Sequence, residues 1–166
     1  MDPFSFLETT AEIAIAFTGF ISVFFILARR TGSFHPRIAM SIRVILIAGI
    51  TCPFLAALPL ILADANVELT TVWRVSSGAV LALGIAVNLY LFRYRRQFAG
   101  AGTGRLMFAQ LLNFFSLVLP LANVVGFPFD PNSAAHLASI WLILGIASIN
   151  FSGLVLFILS RPDKTD

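Results

Sequence analysis

Apolar residues run through this chain in blocks too long for strands or for one-sided surface helices. Five blocks reach the roughly 20 residues that a helix needs to cross a bilayer. They lie at about 7–28, 39–62, 70–92, 106–125 and 137–159. Short punctuated stretches separate them: 30–37 with its Gly and Pro, 63–66, the Gly-rich 99–104 and the Pro-rich 127–132. Gly and Pro at these places read as turns. The pattern predicts an all-α fold, a single integral-membrane domain of five transmembrane helices. No connecting stretch is long enough for a soluble domain, so any activity is expected in the membrane or in the short loops.

Polar positions inside the blocks are few and patterned. In the first, Glu8, Ala11, Glu12, Gly19 and Ser22 share one face with Thr18 at its edge. Ile13, Phe17, Phe20 and Phe24 share the opposite one. Helices in lipid associate through small and polar residues. The phenyl face is therefore expected to meet lipid and the Glu/small face to turn inward. The third block repeats the pattern with Arg74, Ser77, Gly84 and Asn88, and the fourth carries Gln110, Asn113, Ser116, Pro120 and Asn123. Such a stripe is either the wall of a polar path or a set of interhelical hydrogen bonds. Asn150 follows Leu144-Gly145-Ile146-Ala147 as Asn88 follows Leu83-Gly84-Ile85-Ala86, a four-residue echo on common residues. Pro53, Pro59 and Pro120 fall inside spans and are expected to kink them.

Composition agrees. Of 166 residues 58% are hydrophobic and 11% charged, against about a quarter charged in soluble domains. The excess excludes a disordered chain and a dense basic nucleic-acid patch. Charge placement then orients the spans. Arg29, Arg30 and Arg37 lie in the first loop, Arg93, Arg95, Arg96 and Arg105 around the third, and Arg161 and Lys164 in the C-terminal tail. The N-terminal tail and the second and fourth loops hold only Asp2, Glu68 and Asp130, with Asp64 nearby. Cytoplasmic loops are the Lys/Arg-rich ones. The N-terminus is thus expected outside and the C-terminus in the cytoplasm. Trp73 and Trp141 would sit at the outer headgroup belt, Tyr90 and Tyr94 at the inner one. Met1-Asp2-Pro3-Phe4 has no basic n-region, so the first block is expected to be a span and not a cleaved leader.

Two cations fall within spans. Glu12 and Arg74 lie at similar expected depths, so an ion pair is predicted between them, within one chain or between two, with Glu8 as competitor. Arg43 lies about a turn inside its span and is expected to snorkel to lipid phosphate, as the Arg93, Arg95 and Arg96 cluster would. Cys52 is the single cysteine, which excludes dithiol chemistry. His35 and His136 are placed in or beside loops. No cofactor and no metal site is expected, since no Glu-x-x-His pattern accompanies the carboxylates. Gly100-Ala101-Gly102-Thr103-Gly104 joins two spans and lacks the βαβ setting of a dinucleotide site. With no Gly-x-Ser-x-Gly and no intramembrane Ser/His pair expected, no catalytic residue is assigned and an enzyme is not expected.

The expected function is a small membrane protein with a polar helix-lined interior, channel- or transporter-like, acting as a homo-oligomer in the lipid bilayer. Its path would run along the first, third and fourth spans. Gly145, Ser148 and Ser152 of the fifth would serve the oligomer contact. The alternative is a non-catalytic subunit of a larger complex. Ten arginines against one lysine hint at a GC-rich genome and a bacterial inner membrane.

Overall fold

The structure is a computed structural model. It describes the backbone of residues 3–30, 36–94 and 103–159, and side chains over 3–26, 42–90, 92, 93 and 112–156. Five helices account for all the described regular structure: α1 (Pro3–Arg30), α2 (Pro36–Asp64), α3 (Leu69–Tyr94), α4 (Thr103–Val125) and α5 (Ser133–Leu159). Each matches one expected block and extends it by a few residues. Four carry a stretch long and apolar enough to cross a membrane: Pro3–Ile26, Ile42–Asp64, Leu69–Tyr90 and Ser133–Leu156. In α4 the described apolar stretch is the shorter Leu112–Val125.

The turns at one end follow from local chemistry. α2 ends in a Schellman motif, with the Val67 N–H bonding the Leu62 carbonyl (3.2 Å) and the Asn66 N–H bonding that of Ala63 (3.0 Å). Asn66 takes the left-handed conformation (φ 59°) that asparagine tolerates better than most side chains. α4 closes on Gly126 (φ 76°), whose N–H bonds the Ala122 carbonyl at 2.8 Å. Asn132 then caps α5, its Oδ1 accepting the Ala135 N–H at 2.9 Å. This cap starts the helix ahead of His136. The histidine therefore lies in the first turn of α5, beside the loop that precedes it.

α2, α3, α4 and α5 pack in that order around a ring, α5 closing on α2, and α1 lies outside against α2 and, less, α5. The core fills the centre with Cys52, Leu55, Val72, Trp73, Val80, Ile140 and Leu144. α1 reaches it through Leu7 and Ala14, and buries Thr10 and Ile21 on the same side. Its hydroxyls turn back on their own helix, Thr10 to the Phe6 carbonyl and Thr18 to that of Ala14, both at 2.7 Å. With its hydroxyl satisfied, Thr18 can pack tightly on Gly49 of α2, where any β-carbon would collide with it.

This register overturns the expected inward turn of the Glu/small face of α1, while Ile13 and Phe20 of the phenyl face are exposed as expected. Glu8, Glu12 and Gly19 are exposed, and nothing stands within 4 Å of where a Gly19 side chain would begin. Phe17, Phe20 and Phe24 instead ring the edge of Phe151 on α5, with centroids at 6.0, 5.6 and 5.3 Å. Aromatic edge contacts add to burial, and hydroxyl-plus-glycine packing lets α1 seat on α2 without its carboxylates. Among the described residues α1 packs mainly on α2, and its polar face of Glu8 and Glu12 does not line an interior with α3 and α4.

Candidate functional site

A polar cluster ties four helices together near the α2–α3 and α4–α5 turns. It starts from a proline. Pro59 has no N–H, so the Leu55 carbonyl, its ordinary partner one turn earlier, is left without a helical donor. His136 of α5 fills the vacancy, with Nε2 at 3.3 Å from the Leu55 oxygen. A carbonyl only accepts, so Nε2 carries the hydrogen. Nδ1 faces Ser77 Oγ of α3 at 3.4 Å. That hydroxyl already accepts from Asn123 Nδ2 of α4 at 2.7 Å, which leaves its own hydrogen for Nδ1. The bonding pattern fits a neutral imidazole of one tautomer.

Asn123 completes the cluster. Its Nδ2 also donates to the Asn132 carbonyl (3.1 Å), and its Oδ1 accepts the Asn132 N–H (2.8 Å). Accepting that N–H fixes which amide atom is oxygen. Asn132 in turn caps α5, so one chain of bonds joins α2, α3, α4 and the start of α5. His136, Ser77 and Asn123 have no exposed surface. Trp73 lies over the cluster, 6.0 Å from the His136 ring, and stacks on Phe4 of α1 at 5.8 Å. It is 6% exposed, so it is a core ring and not the belt residue expected, whereas Trp141 stays exposed. Ser76 Oγ is buried without a hydrogen-bond partner.

Ser77 and His136 form a Ser/His pair that the sequence reading did not expect, because they stand 59 positions apart in the chain. Their chemistry is restrained. The hydroxyl is held by Asn123, Nε2 faces a carbonyl where a carboxylate would orient a catalytic base, and neither side chain reaches the surface. An open groove of about 560 Å³ lies elsewhere, between α4 and α5, lined by Leu112, Leu119, Trp141, Gly145 and Ile149 among others. It is apolar and holds none of these groups.

The other expected site residues separate. Asn88 and Asn150 are half-buried, and each turns its amide onto its own helix, to the Gly84 carbonyl (2.8 Å) and the Ile146 carbonyl (2.9 Å). Asn113 is half-buried and its backbone carbonyl accepts from Ser116 Oγ at 2.7 Å. Of the α4 stripe, Ser116, Pro120 and Asn123 are buried. Gly84 faces the same helix, since a β-carbon there would stand 2.6 Å from Leu117. Arg74 is exposed, and its Nη2 lies 3.2 Å from where a Gly126 β-carbon would be, over the end of α4. Among the described residues no ion pair joins it to Glu12 or Glu8, so the pairing expected within one chain does not form. The reason is placement: Glu8 and Glu12 face out from α1, while Arg74 faces α4. Arg43 and Arg93 are exposed. The Gln110 side chain and all of Arg95 and Arg96 lie outside the described residues.

His136 and Asn132 are the members that sequence reasoning missed. The available signal was Pro59, which announces a carbonyl in need of a donor from another helix. No protein-family model matches the chain, and neither a curated protein nor a solved structure matches it.

Proposed function

We propose that the protein is a non-catalytic integral membrane subunit that works within a lateral assembly. In this reading all five helices cross the bilayer, with the N-terminus outside and the C-terminus in the cytoplasm, as the arginine-rich loops favour. One observation carries it. Glu12 lies inside the Pro3–Ile26 apolar span and is exposed on a helix face that α2 and α5 leave open. A charged side chain facing hydrocarbon costs up to about 2.5–3.5 kcal/mol on insertion scales, the upper figure applying at the helix centre. A neighbouring protein that covers the face removes much of that cost. The interior polar groups support the same reading, because Asn123, Ser77 and His136 spend their hydrogen bonds on holding helices together.

A channel- or transporter-like role is the second reading, favoured by the acidic face itself. Its passage would run between copies, walled by Glu8 and Glu12, and not through one bundle. Native mass measurement after gentle extraction from the source membrane tests both. A complex heavier than one chain supports the assembly, and a bare monomer refutes it. Ion or solute flux in liposomes of the purified complex supports the second reading, and sealed liposomes refute it.

A further inference from the structure

Two uncovered features of opposite charge stand on opposite sides of the bundle. The first is the open face of α1, which runs from Glu8 and Glu12 through Ile15 and Gly19 to Val23 and Ile26, all exposed. α1 packs on α2 and α5 and so covers that side of the four-helix ring. The second is Arg74 on α3. Its guanidinium reaches across to Gly126 at the end of α4, which marks the α3–α4 side, opposite α1.

Their heights nearly agree. The rings of Phe4 and Trp73 stack with centroids 5.8 Å apart, which brings these positions of α1 and α3 to within about one helical turn of the same height. Both helices run in the same direction from there, at about 1.5 Å per residue. Arg74 follows Trp73 by one residue and Glu8 follows Phe4 by four. The two α-carbons therefore differ in depth by only about 4–5 Å, a step that the long arginine side chain spans. Glu12 lies about 10 Å deeper than Arg74, so Glu8 and not Glu12 is the matching acid. Copies inserted in one membrane share their orientation, which puts the Glu8 of one level with the Arg74 of the next.

Resting on the assembly reading above, we propose that the partner is a second copy of this chain, docked head to tail. The Glu8–Glu12 face of α1 in one copy lies against the α3–α4 side of the next, and the Glu8 carboxylate pairs with the Arg74 guanidinium of that second copy. Gly19, with nothing within 4 Å of where a β-carbon would stand, lets the facing helix approach closely. The contact takes Glu12 out of lipid. Because its two halves are different surfaces, it repeats, and the repeat either closes into a ring or extends as a row.

Cross-linking in native membranes tests this. The background is Cys52→Ser, which removes the single cysteine. With Glu8→Cys and Arg74→Cys in one chain, a short bismaleimide is expected to give a ladder extending beyond the dimer. Either cysteine alone is expected to give none. Cross-linking by Glu8→Cys or Glu12→Cys alone, stopping at the dimer, would mean paired α1 helices and overturns the proposal. Loss of all products with the double variant also overturns it. Charge exchange guards against misfolding: Glu8→Arg and Arg74→Glu should each lower the oligomeric fraction at least tenfold, and the two together in one chain should restore it. Failure to restore counts against the pair. A single copy bound to a different membrane protein, seen by native mass, would sink this proposal and leave the assembly reading standing. A solitary monomer would sink both.

Discussion

Asn123→Leu should be among the costliest polar-to-apolar changes in this chain, and its cost should separate staple from pathway. Asn123 makes three side-chain hydrogen bonds, all of them leaving its own helix: to Ser77 Oγ, to the Asn132 carbonyl and from the Asn132 N–H. Bonds between membrane helices average roughly 0.6 kcal/mol each, so their loss removes about 2 kcal/mol. The Asn132 N–H is left unpaired beside a leucine, which adds on the order of 1–2 kcal/mol. The expected total is about 2–4 kcal/mol. Asn88→Leu and Asn150→Leu each remove one bond to a carbonyl of the same helix. That carbonyl also has its backbone donor, so each should cost less than about 0.5 kcal/mol. Reversible unfolding in mixed micelles against a rising fraction of dodecyl sulfate measures all three. Trp73 fluorescence is a suitable reporter, since its ring lies over the cluster. Equal costs at positions 88, 123 and 150, or a neutral Asn123→Leu, would refute the staple. A polar path would show the reverse signature, with stability unchanged and conductance altered.

Four further outcomes follow from the same geometry. His136→Leu should destabilise by about 1–2 kcal/mol, and by roughly 0.5–1 kcal/mol less in a Pro59→Ala background, where position 59 regains an N–H for the Leu55 carbonyl; a double-mutant cycle with zero coupling removes that link. Gly49→Ala should cost about 1–3 kcal/mol by driving a methyl into Thr18, and Thr18→Ala should recover most of it in the same unfolding assay. Ser76→Ala should stabilise by about 0.5–1 kcal/mol, because it deletes a buried hydroxyl with no partner; a loss of stability would mean that the hydroxyl has one. In a Cys52→Ser background, a cysteine at Asn66 should react with impermeant maleimide from outside intact cells and one at Gln97 should not, and the opposite result inverts the proposed orientation.

The α1 faces show why sequence periodicity misled in one place and succeeded elsewhere. Which residues share a face follows from helical geometry, and Glu8, Glu12 and Gly19 do share one. Whether that face turns inward depends on what the neighbouring helix offers. α2 offers Gly49, whose missing side chain leaves room for Thr18 to pack close against it. The α4 stripe was legible because its polar, small and proline positions have a single partner side, and Ser116, Pro120 and Asn123 are all buried there. Trp73 is the converse case. Its place near a span end suggested the headgroup belt, but an aromatic partner on α1 and a histidine on α5 draw it into the core.

The chain's own order of residues determined the number of helices, their approximate ends and the faces on which polar groups recur. These are local properties: apolar run length, turn residues such as Asn66 and Gly126, and the asparagine cap on α5. Tertiary structure alone decided which polar groups meet. Leu55, Ser77, Asn123 and His136 come from four helices, and no local pattern links them. They converge because Pro59 leaves a carbonyl that only a neighbouring helix can satisfy, and a buried polar group in an apolar bundle must find a partner there. The same packing left Glu12 uncovered, which no reading of one helix at a time can show.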